Sequence, residues 1–288
     1  LNQERLRSVL DYLYSTYDFG SRGINDPIEY PHRYREERDI EIVAFISSCF
    51  AYGRVSQFMP VIEELLSVMG GSPYGFILNF QPQRHWQRFA HIRYRFQTSG
   101  DIIALLSVLS EVLKRHHSIE NAFRVFYDGS NIKGAIEGFF QYIIALNKES
   151  YLLKLAERGV APPSERGFLQ LFPLPSKGSP CKRMNLFLRW MVRDRDIDFG
   201  IWKGISKSSL IIPLDTHIAR IGRCLGLTKR ATQDWKMAEE ITASLRLVAP
   251  EDPLKYDFAL CHQGIKGICS KGCSPETTCP LVIHILNG

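Results

Sequence analysis

Apolar residues in this chain recur three and four positions apart almost from one end to the other, and that spacing suits little besides helix. Leu6, Val9, Leu10, Leu13 and Tyr17 fall on one helical face. Asp39 stands where an N-cap belongs, ahead of Ile42, Val43, Phe45 and Ile46, and Gly53 supplies a stop after Tyr52. The stretch from Ser56 to Met69 ends at Gly70-Gly71 in the same way. The spacing predicts further helices over 99–116, 118–127, 131–147, 164–171, 179–193, 215–225, 232–248 and 252–263. Ser179-Pro180 and Asp252-Pro253 each read as a cap followed by a first-turn proline, whose missing N–H costs nothing there. No run alternates with a period of two between hairpin turns, as paired strands would require. The expected fold class is all-α, built from many short helices.

Composition narrows the function classes. Of the 288 residues 45% are hydrophobic and 23% charged, which excludes a disordered or fibrous chain. Apolar stretches such as Asp101 to Leu109 are broken long before the roughly 18 residues needed to cross a bilayer. No basic-then-apolar signal segment is evident at the start. Seven cysteines are an odd number and too sparse for a disulfide scaffold, which points to a reducing, cytoplasmic setting.

The net charge of +6 is unevenly spread: residues 151–230 hold 15 Lys and Arg against 6 Asp and Glu. The rest of the chain holds 21 basic and 24 acidic residues, so the excess sits in one third. Such a third is either a solvated basic face or the seat of an anionic partner. Gly159-Val-Ala-Pro-Pro163 marks a candidate boundary ahead of it. A second basic segment, Gln83 to Arg95, mixes arginines with Trp86, Phe89 and Tyr94, a mixture that suits phosphate contact plus stacking and equally an amphipathic helix.

Three constellations could carry chemistry. In Leu174-Pro-Ser-Lys-Gly-Ser-Pro-Cys-Lys-Arg-Met-Asn185 a Gly/Pro turn runs into a helix with Lys182 in its first turn. Backbone N–H groups at a helix start, with Gly allowing close approach, can hold a phosphate. The amine of Lys182 is a candidate nucleophile able to form a Schiff base. In Pro213-Leu-Asp-Thr-His-Ile-Ala-Arg220, Asp215 takes the N-cap position ahead of the apolar stripe Ile218, Ile221 and Leu225. On local grounds Lys182 also reads as an exposed lysine and Asp215 as a plain cap. The third group is Cys261, Cys269, Cys273 and Cys279, a thiolate set suited to zinc or an iron–sulfur cluster, with Cys261 also placed as a core cysteine would be.

Together and in this order, the three features resemble the helix-hairpin-helix, Gly/Pro-Asp superfamily of DNA base-excision glycosylases, which includes endonuclease III and the 8-oxoguanine glycosylases. Pro213-Leu-Asp-Thr-His looks like the catalytic-aspartate signature, and Gly178-Ser-Pro-Cys-Lys182 like the second half of the hairpin. The resemblance implies a glycosylase fold, with residues 19–163 as a barrel-like helical domain and residues 1–18 plus 164–288 as the helix-hairpin-helix and C-terminal domain. It implies excision of damaged bases from double-stranded DNA by a monomeric, nucleoid-associated enzyme, with Lys182 as Schiff-base nucleophile and AP lyase and Asp215 as the catalytic carboxylate. Lys177, Gly178, Ser179, Arg183, Arg220 and Arg223 would then contact DNA. Trp190 or Trp202 could stack on a flipped base, core placement being the safer reading for Trp190. The four cysteines would hold a 4Fe–4S cluster, although their C-x7-C-x3-C-x5-C spacing is not that of the cluster-bearing members. Two other readings stand beside this one: a non-catalytic nucleic-acid-binding protein that keeps the fold, and a metal-stabilised assembly module.

Overall fold

A computed structural model describes residues 2–22, 25–149 and 165–265. Among these the chain is helical throughout, with no strand and a single isolated antiparallel bridge between Tyr94 and Gln97. Among the described residues no helix is long and apolar enough to cross a membrane. The chain divides into two compact units, one of the residues up to Ser21 and from Pro175 onward, the other of Arg22–Leu174. The helix Glu165–Leu171 thereby lies with the middle of the chain, and the Gly159–Pro163 stretch falls outside the described residues.

In the middle unit the helix Ser99–His116 is buried over most of its length, in keeping with the largely apolar run from Ile102 to Leu113. The helices Pro73–Leu78, Ile119–Arg124, Ile132–Glu149 and Glu165–Leu171 all pack on it. A capping box starts it: Thr98 Oγ1 accepts from Asp101 N, and Asp101 returns the bond to Thr98 N. His117, in the left-handed region at φ 67°, ends it. The helix Glu37–Phe50 begins two residues ahead of Asp39, so Asp39 is not its cap. Its buried carboxylate instead accepts from Tyr74 N at 2.7 Å, in the first turn of the helix Pro73–Leu78. Two residues on, buried Glu41 accepts from Ile119 N and Glu120 N, both at 2.9 Å, at the start of the helix Ile119–Arg124. One helix thus satisfies the open N–H groups of two others, groups that would otherwise be buried without partners.

The other unit assembles Gln3–Ser15, Lys182–Val192, Thr216–Cys224, Trp235–Val248 and Asp257–Ile265. Its core is apolar around Val9, Leu10, Phe187, Trp190, Ile212, Trp235 and Leu245. Two fully buried arginines interrupt it. Arg189 Nε meets Asp198 Oδ1 at 3.2 Å, and its Nη1 meets Asp257 Oδ2 at 2.5 Å. Arg193 Nε meets Asp252 at 2.9 Å, its Nη2 meets Asp196 at 3.1 Å, and its Nη1 pairs with the second oxygen of Asp198. Burial works against the charge on Arg189, but Asp198 and Asp257 outweigh it and hold its pKa above the ordinary arginine value. Tyr14 Oη donates to Asp196 Oδ1 at 2.8 Å, tying the first helix to the same network. Two expected caps are therefore reassigned. Asp252 does not start a helix, since the helix begins at Asp257 and the Asp252 carboxylate is turned to Arg193. Ser179 does not cap the helix Lys182–Val192, because Cys181 occupies the N-cap position.

Removing one side of a buried ion network leaves uncompensated charge behind. Arg189→Ala is expected to lower stability by about 3–5 kcal/mol, read as a fall in the urea midpoint. A change under about 0.5 kcal/mol would mean that Asp198 and Asp257 are not ionised in the fold.

Candidate functional site

Lys182 opens the helix Lys182–Val192 at the end of a turn held by its own backbone. Gly178 N donates to Pro175 O at 3.0 Å, and Gly178 O accepts from Trp235 N at 3.1 Å. Gly178 sits at φ 83° with open space where a side chain would project. Cys181 follows at φ 47°, a left-handed conformation that costs a non-glycine residue about 1–2 kcal/mol. Bonds from Cys181 N to Ser179 Oγ at 3.2 Å and from Asn185 Nδ2 to Pro180 O at 3.0 Å hold that turn. The chain therefore enters the helix sharply, and Lys182 is delivered half-buried at its first position.

Asp215 arrives from the buried run Leu210–Leu214, pinned where Ile212 N donates to Thr242 Oγ1 at 3.0 Å. It caps the helix Thr216–Cys224 as expected, with Oδ1 accepting from His217 N and Ile218 N, both at 2.9 Å. Its other oxygen is turned elsewhere. Oδ2 lies 3.6 Å from Lys182 Nζ, and Cys261 Sγ–H donates to it at 3.8 Å. The Lys182 side chain is 35% exposed and that of Asp215 is 18% exposed, so the pair is partly shielded yet open to a ligand. A carboxylate with one oxygen fixed by its own helix and the other facing an amine can take that amine's proton and balance a nearby cationic centre.

The remaining expected site residues divide. Lys177, Gly178 and Arg223 are exposed, and Ser179 and Arg183 are half-buried. Arg220 is engaged within the protein: Nη2 donates to the Gly264 carbonyl and lies 3.4 Å from His217 Nδ1. It ties Thr216–Cys224 to Asp257–Ile265, whose approach is so close that a Cβ on Gly264 would lie 2.7 Å from His217 Cβ. Trp190 and Trp202 are both buried, Trp202 set edge-on to Phe187 at 5.2 Å, so neither offers a face to a base.

Cys269, Cys273 and Cys279 lie outside the described residues, and among the described ones no group of three or more His, Cys, Asp or Glu could hold a metal ion. The described cysteine of the set, Cys261, lies at the edge of the pair, its Sγ 3.8 Å from Asp215 Oδ2. Local spacing gives no hint of its meeting with Asp215. The arginine network did leave a signal, because Arg189 and Arg193 stand four positions apart, in and just after a helix otherwise rich in large apolar residues.

A family model described as "Protein of unknown function (DUF2400)" matches residues 26–266, and the chain belongs to that family. No curated protein and no solved structure matches it.

The two oxygens of Asp215 are separable by substitution. Asp215→Ala is expected to cost about 1 kcal/mol through the lost cap, while Asp215→Asn, which keeps an accepting oxygen, should stay within about 0.5 kcal/mol of the parent in urea unfolding. Equal losses in the two variants would assign the stabilising role to the charge facing Lys182 instead.

Proposed function

We propose that this DUF2400 chain is a DNA base-excision glycosylase with AP lyase activity, using Lys182 as nucleophile and Asp215 as its carboxylate. The observation that carries the reading is the approach of Lys182 Nζ to Asp215 Oδ2 at 3.6 Å, between two residues 33 positions apart. A carboxylate in a basic region repels phosphate, so one whose second oxygen faces an amine favours chemistry over DNA binding alone. In this reading the turn Pro175–Cys181 and the helix after it form the second half of a helix-hairpin-helix. Damaged double-stranded DNA is the substrate, with Lys177, Gly178, Ser179, Arg183 and Arg223 along the phosphates.

The chemistry follows from the pair. The damaged base must leave the stack before its glycosidic carbon can be reached. Asp215 takes the proton of the Lys182 ammonium, and the neutral amine attacks C1′. As the N–C1′ bond forms, the glycosidic bond breaks, its electron pair passes to the departing base, and the proton held by Asp215 follows it, which restores the carboxylate beside the sugar. The positive charge that develops on the sugar faces the carboxylate, as in glycoside hydrolysis. Ring opening leaves an iminium between Lys182 and the sugar. Loss of a C2′ proton then expels the 3′-phosphate, and water releases the lysine.

A second reading, a non-catalytic DNA-binding protein, draws on the cap that Asp215 Oδ1 makes, which accounts for an aspartate at this position without chemistry. Borohydride trapping on duplexes carrying uracil, 8-oxoguanine, an oxidised pyrimidine or an abasic site separates the two. The glycosylase gives a covalent adduct that vanishes in Lys182→Ala, and Asp215→Asn cuts base release by at least about a hundredfold while leaving DNA binding intact. An adduct that persists in Lys182→Ala would move the nucleophile elsewhere. Base release unchanged by Asp215→Asn would remove the carboxylate from the mechanism.

A further inference from the structure

The segment Gln81 to Thr98 carries Arg84, Arg88, Arg93 and Arg95 and contains no Asp or Glu. All four arginines are exposed, and among the described residues none of them has an ion-pair partner. His91 in the same segment has its Nε2 2.7 Å from Glu64 Oε1. Buried Phe89, Ile92 and Tyr94 anchor the segment from beneath, while Phe96 stands 58% exposed at its end.

That exposed ring is held in a fixed direction. Tyr94 and Gln97 exchange backbone hydrogen bonds of 3.1 and 2.8 Å, leaving Arg95 and Phe96 at the tip of a two-residue turn. Arg95 takes φ 49°, which a non-glycine residue adopts only under constraint. The constraint comes from below. Tyr94 Oη donates to Tyr52 O, and Tyr52 Oη donates to Gln97 Oε1. Gln97 Nε2 donates to Gly167 O at 3.0 Å and to Gln170 Oε1 at 2.7 Å. A Cβ on Gly53 would lie 2.5 Å from Arg95 Nη1 and 2.7 Å from Tyr94 Oη, so the chain beside the turn is pressed against it. The Arg95 guanidinium stands 5.6 Å from the Tyr52 ring and 5.9 Å from the Phe96 ring.

A rigid turn that exposes one aromatic ring among exposed arginines suits a ligand with a flat π face and dense negative charge, which is the chemistry of a nucleotide chain. We propose that the Tyr94–Gln97 turn is a DNA contact in which Phe96 stacks on an unpaired base while Arg93 and Arg95 meet the flanking phosphates. The contact goes beyond the Lys182–Asp215 reading and does not depend on it.

The test uses the full chain and a short duplex, either fully paired or carrying a one-nucleotide bulge of 2-aminopurine, whose fluorescence reports stacking. Wild-type protein should prefer the bulged duplex and quench the probe. Phe96→Ala should weaken bulge binding about tenfold, abolish the quench and leave binding to the paired duplex nearly unchanged, while Phe96→Trp restores both. Arg93→Gln combined with Arg95→Gln should weaken both duplexes and reduce the salt dependence of log affinity by about two. Phe96 is mostly exposed, so a melting curve close to that of the parent is expected for Phe96→Ala and certifies the fold. Bulge affinity and quench unchanged in Phe96→Ala would overturn the proposal, as would wild-type protein that binds neither duplex. So would loss of binding to phosphatidylglycerol vesicles in Phe96→Ala with DNA binding intact, which would make the turn a lipid contact. A chain that gives no borohydride adduct yet keeps the Phe96-dependent preference would retain this contact and lose the Lys182 chemistry.

Discussion

Two arginines, Arg189 and Arg193, project one turn apart from a helix that is otherwise sunk in apolar surroundings, and four aspartates close around them. Charges so placed are costly to desolvate, and they persist only when every partner is in register. Asp196 and Asp198 lie in the loop after the helix, Asp252 precedes the last described helix, and Asp257 begins it. Rotating the helix Lys182–Val192 would strand charge in the core, so its orientation is set far more sharply than hydrophobic packing alone would set it. Lys182 stands two turns from Arg189, about 10 Å along the axis at the helical rise per residue. The network therefore fixes the direction in which the amine leaves the helix, although it touches neither the amine nor Asp215.

Asp215 shows how one side chain can serve fold and site together. A cap needs a single acceptor directed at two N–H groups, and a carboxylate has two oxygens. The bonds to His217 N and Ile218 N hold the carboxylate plane, which leaves Oδ2 in a fixed place against Lys182 and Cys261. Such preorganisation costs nothing further when charge develops nearby.

Helix positions were legible because a 3.6-residue period survives in the sequence even for short elements, as in the helices Gln3–Ser15 and Val55–Met69. Caps were legible only where the acceptor belongs to the same helix. Asp215 obeyed the local rule, whereas Asp39 and Asp252 sit in cap-like contexts but serve partners far off in the chain. Ser179 failed as a cap for a different reason, since the chain makes a left-handed step at Cys181 before the helix begins. The pairing of Lys182 with Asp215 was anticipated through resemblance and not through any periodicity, and the thiol of Cys261 could not have been placed beside them from spacing alone.

The carboxylates of Asp39 and Glu41 carry a consequence for how the middle unit comes apart. The helices Pro73–Leu78 and Ile119–Arg124 are six residues each, too short to persist in water by themselves. Each takes part of its N-terminal hydrogen bonding from the helix Glu37–Phe50. Loss of that helix removes acceptors from both, and melting either one takes N–H donors away from a buried carboxylate on it. Three segments scattered over more than eighty residues are thereby coupled into a single cooperative block, and partial opening confined to one of them is suppressed.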